Sequence, residues 1–392
     1  MINLLPAVLI GGPSYAGKSA LFYNLTRALS KRQISHHALR AYSTNGDTWS
    51  QDDEQEAVRL LRIHDTWNDE FIGRFRRDLS QRLLPLLIDI DTHHPTLQTC
   101  ILQQCTHTVL LLHEQDQANT TAWLQLSERY ALLPLAHIYS SFEGKMSIIT
   151  AKEPIITGTL MQSDSTSIAQ EALFDCLVER IAELFSAYSH EELAHMQLSE
   201  APTSLVLQLS TLLQTVAPGS TDWEPPMLGA LLDYIPACTP LSVYGQAPQW
   251  LYSALAAHTG SETFYLFDPH ALLGEMHAGW VAPPELLLNS STSSEVHITY
   301  THRDDCRWLT MKIMYIQLDY LQATSLVFPP IPPHQGLILA GNIPTWLLTA
   351  LVRLYIRTDV PWIAYHQAQQ NRAIVIFSRI KCYRVGDSIP PS

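Results

Sequence analysis

An apolar run, Ala7-Val8-Leu9-Ile10, leads directly into Gly12-Pro13-Ser14-Tyr15-Ala16-Gly17-Lys18-Ser19, and a helical stretch from Ala20 to Leu25 follows. The spelling G-x-x-x-x-G-K-S between a buried strand and a helix is the phosphate-binding P-loop in its structural setting. Glycines let backbone N–H groups curl around phosphate oxygens, and the helix that follows adds its positive N-terminal end. Lys18 is placed to reach the β- and γ-phosphates, and the Ser19 hydroxyl to ligate Mg²⁺. The expected nucleotide-binding set is Gly12, Ser14, Gly17, Lys18, Ser19 and Ala20, with ATP and Mg²⁺ as cofactors. A strand feeding a helix in this way commits the segment to an α/β fold with a parallel sheet.

Leu84-Pro85-Leu86-Leu87-Ile88-Asp89 is an apolar strand ending in a carboxylate, the Walker B pattern. Asp89 would hold the Mg²⁺ that Ser19 also touches, and Asp91, two positions on and on the same face, is the alternative. Asn45-Gly46-Asp47-Thr48-Trp49 follows a second strand. Asp47 there either orients a substrate or water, or sits in an Asn-Gly turn. Arg74, Arg76, Arg77 and Arg82 fall on a predicted helix, the last three near enough to supply an arginine finger. A solvated, charged helix face is the competing reading.

Around these motifs the first half alternates strands and helices. Strand-like runs cover Ala7 to Ile10, His37 to Tyr42, Leu84 to Ile90, Thr108 to Leu112 and Leu135 to Tyr139. Helical patterns cover Gln55 to Ile63, Asp69 to Gln81, Ala122 to Tyr130 and an amphipathic segment from Ile168 to Tyr188. Polar sequence from Ser189 to Ser204 reads as a linker. At 392 residues, with 46% hydrophobic and 16% charged residues, the chain is globular and long enough for two or three domains. A net charge of −13 excludes a duplex-DNA binder that relies on a broad basic face. No apolar stretch approaches the ~18–20 residues of a membrane span, and the expectation is a soluble cytoplasmic protein. The six cysteines form no C-x-x-C pair and read as buried reduced thiols. The histidine pairs His36-His37 and His93-His94 would point to opposite strand faces, so solvated loop histidines are expected rather than metal ligands.

The second half contains a repeat. Sliding the chain by 96 residues puts Ile235-Pro236 on Ile331-Pro332, Leu241 on Leu337, Gly245 on Gly341 and Pro248 on Pro344. Trp250-Leu251 falls on Trp346-Leu347, and Ala254-Leu255 on Ala350-Leu351. The unit is strand, G-x-x-P-x-W-L, helix, then a second strand (Phe264 to Phe267; Trp362 to Tyr365). A Ser-rich stretch, Asn289 to Ser294, divides the copies. Gly245 and Gly341 sit where a strand hands over to a helix and where backbone can approach a ligand. Pro248 and Pro344 suit a first helical turn, and Trp250 and Trp346 read as core anchors. Two copies can dock as a pseudo-twofold dimer within one chain.

Taken together, the chain resembles the CRISPR-associated ring nucleases of type III systems, in the version fused behind a P-loop ATPase of the AAA type. The residues that carry the resemblance are Gly12–Ser19, Gly46–Trp49 and Leu84–Asp89 in the first half. In the second half they are Gly341-Asn342-Ile343-Pro344-Thr345-Trp346-Leu347 and Tyr383-Arg384-Val385-Gly386-Asp387-Ser388-Ile389. The resemblance implies cyclic tetra-adenylate as ligand, opening of its ring by phosphodiester cleavage, and support from a divalent metal, Mn²⁺ being the usual one. It also implies a homo-oligomer, because the family sandwiches its ligand between subunits.

In that family the work is attributed to a Tyr-Asp-Pro-Arg element and a histidine at the end of the preceding helix. Here the second copy reads Tyr365-His366-Gln367-Ala368, with Ile356 at the histidine position. The first copy reads Phe267-Asp268-Pro269-His270, with Gly260 at that position and His258 two residues earlier. The first copy is therefore expected to hold the chemistry, with Asp268, His270 and His258 as its candidates. Lys18 and Asp89 are the catalytic candidates of the nucleotide unit, and Gly245, Gln246, Gly341 and Asn342 those for ring binding. The expected architecture is α/β: a P-loop NTPase domain over 1–195, then two ring-nuclease-like domains over 200–290 and 295–392. A non-cleaving cyclic oligoadenylate sensor controlling a P-loop ATPase or small-molecule kinase is the alternative.

Overall fold

The computed structural model describes residues 5–13, 16–41, 61–62, 69–90, 95–113, 116–141, 147–161, 172–268, 279–289, 296–303, 306–313, 320, 323 and 326–390. The chain is α/β and divides into two compact units, Met1–Gln197 and Leu198–Ser392.

The first unit runs β1 (Ala7–Gly11), α1 (Lys18–Lys31), β2 (His37–Ala41), β3 (Leu61–Arg62), α2 (Asp69–Ser80), β4 (Leu86–Ile90), α3 (Pro95–Leu102) and β5 (His107–His113). It continues with α4 (Gln117–Arg129), β6 (Leu133–Ser141), β7 (Ile148–Ala151), β8 (Ile156–Met161), α5 (Ala172–Phe185) and α6 (His190–Ser199). The eight strands form one sheet in the order β3-β2-β4-β1-β5-β6-β8-β7, and only β7 runs antiparallel to its neighbour. Strands β1 and β4 are buried along their whole length, as continuous apolar runs require when both faces of a parallel sheet are covered. Helices α1 and α5 share a core cluster with β1, built from Leu21, Phe22, Leu25, Leu177, Ile181 and others.

Several expectations need correction. The polar stretch after Ser189 is a helix, not a linker: Ser189 and Glu192 form a reciprocal capping box, the serine hydroxyl accepting from the Glu192 N–H while the Glu192 carboxylate accepts from the Ser189 N–H. These bonds hold the Glu192 carboxyl below its usual range. Within the expected helix over Gln55 to Ile63, Leu61–Arg62 is a strand and the rest lies outside the described residues. His36 and His37 are buried rather than solvated, the former bonded to the Ile34 carbonyl; His93-His94 lie outside the described residues. Cys100 and Cys105 are buried as expected, but Cys238 and Cys382 are exposed.

The second unit runs β9 (Val206–Gln208), α7 (Leu209–Val216), α8 (Leu228–Tyr234), β10 (Leu241–Tyr244), α9 (Gln249–His258), β11 (Phe264–Phe267), β12 (Trp280–Val281) and β13 (Leu287–Leu288). Then come β14 (Val296–Arg303), β15 (Cys306–Ile313), β16 (Val327–Phe328), β17 (Gly336–Asn342), α10 (Thr345–Tyr355), β18 (Trp362–Gln367), β19 (Arg372–Ser378) and β20 (Ser388–Ile389). In the first copy β9, β10 and β11 are parallel and β12 antiparallel. In the second, β15, β17 and β18 are parallel and β19 antiparallel. The sequence repeat is thus a repeat of strand order and direction. The second copy adds β14, paired with β15, and β20, paired with β19.

Both copies bury their apolar faces in one cluster, in which Trp250, Leu251 and Leu255 meet Leu347, Leu351 and Trp346. The tryptophans are core anchors, as their helical register implied. Pro248 and Pro344 are N-caps with closely matched backbone angles (φ −61, ψ 146 and φ −57, ψ 146), one position before the first helical turn.

Candidate functional sites

In the first unit, β1 ends at the point where the chain direction across the sheet reverses, with β4 on one side and β5 on the other. Open parallel sheets bind ligands at such switch points, beyond the carboxyl ends of the strands. Gly12 has φ +142, and a Cβ there would sit 2.0 Å from the Leu111 carbonyl oxygen of β5. Gly17 is left-handed (φ 86) and is the N-cap of α1, so no side-chain acceptor competes for the helix's first N–H groups. Lys18 is 8% exposed, and its Nζ donates to the Pro13 carbonyl at 2.7 Å, folding the amine over the loop.

Strand register brings the Walker pieces together. Ile10 lies opposite Asp89, so the carboxylate emerges beside the loop. Ser19 Oγ donates to Asp89 Oδ2 at 3.1 Å, and Asp89 is fully buried. A hydroxyl and a carboxylate at this separation are the hard oxygen donors that Mg²⁺ takes. Gly12, Gly17, Lys18, Ser19, Ala20 and Asp89 are therefore gathered at one sheet edge; Ser14, Asp47 and Asp91 lie outside the described residues. His113, at the end of β5, shares that edge, with Ser140 Oγ 2.9 Å from its Nδ1. No motif marks this histidine in the sequence; its one signal is its place at the close of a buried apolar strand.

Arg82 is neither a finger nor part of a solvated face. It follows α2, is buried, and donates to the carbonyls of Leu5, Leu79 and Gln104. Burial lowers its pKa to about 10. Arg76 and Arg77 are exposed, and the side chain of Arg74 lies outside the described residues.

In the second unit the geometry is set by the two long helices. Gln249, first in α9, donates through Nε2 to the Ile343 carbonyl (2.8 Å) and Thr345 Oγ1 (3.4 Å) at the start of α10. Arg353, in the last turn of α10, donates to Thr259 Oγ1 (3.0 Å) and the Glu262 carbonyl (2.8 Å) beyond the end of α9. The helices therefore lie side by side and run the same way. Gly245-Gln246 and Gly341-Asn342 consequently open on one common edge. Gln246 and Asn342 are exposed there.

The two loops differ in why they need glycine. At Gly341 (φ +128) a Cβ would meet the Met311 carbonyl oxygen at 2.1 Å, so the neighbouring strand imposes the residue. At Gly245 (φ +108) the nearest atoms are at ordinary contact distance, and the backbone angle alone imposes it. The buried Tyr252 hydroxyl donates to the Gly245 carbonyl. Burial pushes its pKa up to about 12; an Ala247 backbone hydrogen bond opposes the rise, and the charge of Asp268 adds to it. Asp268 thus lies on the Gly245 edge, its N–H donating to the Gly279 carbonyl at 2.7 Å. Tyr244, Phe267 and Trp280 form an aromatic cluster beside it, with centroids 4.9–6.2 Å apart.

His258 does not join them. It closes α9, and its Nε2 bonds the Ile235 carbonyl at 2.8 Å. Because β10 and β11 are parallel and α9 is the crossover between them, the helix end lies at the opposite sheet edge from Asp268. A ten-residue helix spans about 15 Å. Asp268 and His258 of one chain therefore share no cleft; His270 lies outside the described residues. In the second copy the Tyr365 hydroxyl donates to Gln249 Oε1 at 2.6 Å, and His366 packs against Trp308. Among the described residues no group of three or more His, Cys, Asp or Glu side chains is placed to hold a metal.

Residues 311–390 match the model of a family described as CRISPR-associated protein (Cas_csx3). The match begins within β15 and takes in the rest of the second copy; the first copy and the amino-terminal unit stand outside it. The similarity to a CRISPR-associated protein therefore rests on the carboxy-terminal segment. No curated protein matches the chain. No helix among the described residues is long and apolar enough to cross a membrane.

Proposed function

We propose that the chain is a type III CRISPR accessory protein whose second unit binds cyclic tetra-adenylate across the paired loops and opens the ring at the first copy. The observation that carries this reading is the common edge on which Gly245-Gln246 and Gly341-Asn342 open, like ends of α9 and α10 lying together. A ring with rotational symmetry presents equivalent phosphates to equivalent loops. The aromatic cluster of Tyr244 and Phe267 offers ring faces beside one loop, which suits a purine. Asp268, on the same edge, orients the attacking oxygen or takes its proton.

The amino-terminal unit is proposed to bind and hydrolyse ATP with Mg²⁺. Ser19 and Asp89 would hold the cation, which neutralises phosphate charge when bound. Lys18 leaves the Pro13 carbonyl for the β- and γ-phosphate oxygens, and the N–H groups at the start of α1 bind the phosphates.

One observation favours a second reading, a non-cleaving sensor that relays the messenger to the nucleotide unit. Copy two has no carboxylate at the position of Asp268, and copy one has no histidine beside it among the described residues. Incubation with cyclic tetra-adenylate and Mn²⁺, followed by separation of linear products, decides between the two. The cleaving reading expects products that Asp268→Asn reduces about 100-fold or more. Binding without product at stoichiometric protein would leave the sensor, and no binding would remove both.

A further inference from the structure

The second unit has another opening, at the edge opposite the paired loops. A cavity of about 230 Å³ lies between the copies there, lined by the start of β11, the Ala282–Leu286 segment and the last turn of α10. Two arginines line it, Arg353 in the last turn of α10 and Arg357 just beyond the end of that helix. In a chain with a net charge of −13, two cations converging on one concave surface ask for a reason.

Their partners do not supply one. Arg353 is half-buried, and its bonds to Thr259 Oγ1 and the Glu262 carbonyl take two of five guanidinium N–H groups without meeting a carboxylate. Arg357 has only a loose pairing, Nη1 to Glu285 Oε1 at 3.9 Å, in which both side chains are largely exposed. Such a pair contributes little and is readily displaced. Burial and then the Arg357 charge push Arg353 below the ordinary guanidinium value, with Glu285 opposing. Two like charges held together this way are relieved by an anion between them. Glu285 and Tyr265 line the cavity too, beside an apolar wall of Pro283, Pro284 and Leu354.

We propose that this cavity binds a phosphomonoester with a small organic body, of the mononucleotide class, the phosphate held by Arg353 and Arg357 and the body packed on the proline wall. Two forked guanidinium groups match phosphate oxygens, and apolar walls favour a ligand larger than the bare ion. Its lining shares no residue with the ring-binding edge or the Lys18 loop, and it stands whether or not either of those binds its ligand.

The test removes the competing phosphate site first. Full-length Lys18→Ala protein is titrated calorimetrically with AMP, inorganic phosphate and adenosine. The expected result is a single AMP site per chain, with phosphate and adenosine each at least about tenfold weaker. Arg357→Gln, at an exposed position that leaves the fold intact, should weaken AMP about tenfold, the loss of one charge-assisted contact. Glu285→Gln should tighten it, and Gln246→Ala with Asn342→Ala should leave it unchanged. AMP that fails to bind, or binds equally in the Lys18→Ala protein with and without Arg357→Gln, overturns the proposal. Phosphate binding as tightly as AMP overturns the organic part of the ligand.

Discussion

At the residue scale the two units solve one backbone problem in the same way. Gly12 and Gly341 each end a central strand with a positive φ, and at each a Cβ would strike the neighbouring strand's carbonyl, that of Leu111 or Met311. Gly245, the repeat partner of Gly341, meets no such atom. Gly341→Ala should therefore destabilise the chain more than Gly245→Ala, whose cost is the left-handed backbone alone, about 1–3 kcal/mol. Chemical denaturation of the two variants checks this, and equal midpoints would contradict it. Lys18→Ala removes the amine that folds over the loop. ATP hydrolysis should fall at least about 100-fold with the thermal transition retained, and unchanged turnover would refute the nucleotide assignment. The G-x-x-x-x-G-K-S motif was legible because it is local: eight consecutive residues spell it. Arg82 was not, because two of its three acceptors, at positions 5 and 104, are remote in sequence, and a charged side chain beside a helix reads as solvated.

At the element scale, apolar runs located β1, β2, β4, β5 and β6, since strands covered on both faces leave a continuous signature. What escaped were elements whose stability comes from caps or pairing. Helix α6 sits in polar sequence but is announced by Ser189-x-x-Glu192, a pattern readable beforehand. The β7–β8 hairpin attaches to the sheet through β6 and lacks a comparable apolar run. Burial within this sheet has a consequence for pH. His107 on β5 and His137 on β6 are held below the ordinary imidazole value by burial. The folded state thus prefers neutral rings, while the unfolded chain takes up protons near pH 6.5. The stability they contribute is present above that pH and is lost as pH falls through the folded values. Thermal unfolding temperature should drop between about pH 7.5 and 5.5, and the slope should flatten in His107→Gln, His137→Gln protein. A pH-independent transition in the wild type would contradict this.

At the scale of the whole molecule, the duplication was visible because two prolines, a glycine and a tryptophan kept one register over 96 residues. The sequence could not show which ends of the copies meet. That follows from Gln249 bonding the start of α10 and Arg353 bonding the end of α9, contacts between residues 91–94 positions apart. Parallel helices place both switch-point loops on one edge and send His258 to the other, which is why a carboxylate and a histidine only ten residues apart in the sequence are separated in the fold. On the proposed function, the common edge takes a single cyclic adenylate ligand through both loops. Calorimetric titration of the full-length protein with cyclic tetra-adenylate tests it most directly, in the wild type and in Gln246→Ala and Asn342→Ala, two exposed positions that leave the core intact. Saturable binding weakened by either substitution is the expected result; no binding, or binding indifferent to both, would contradict the account.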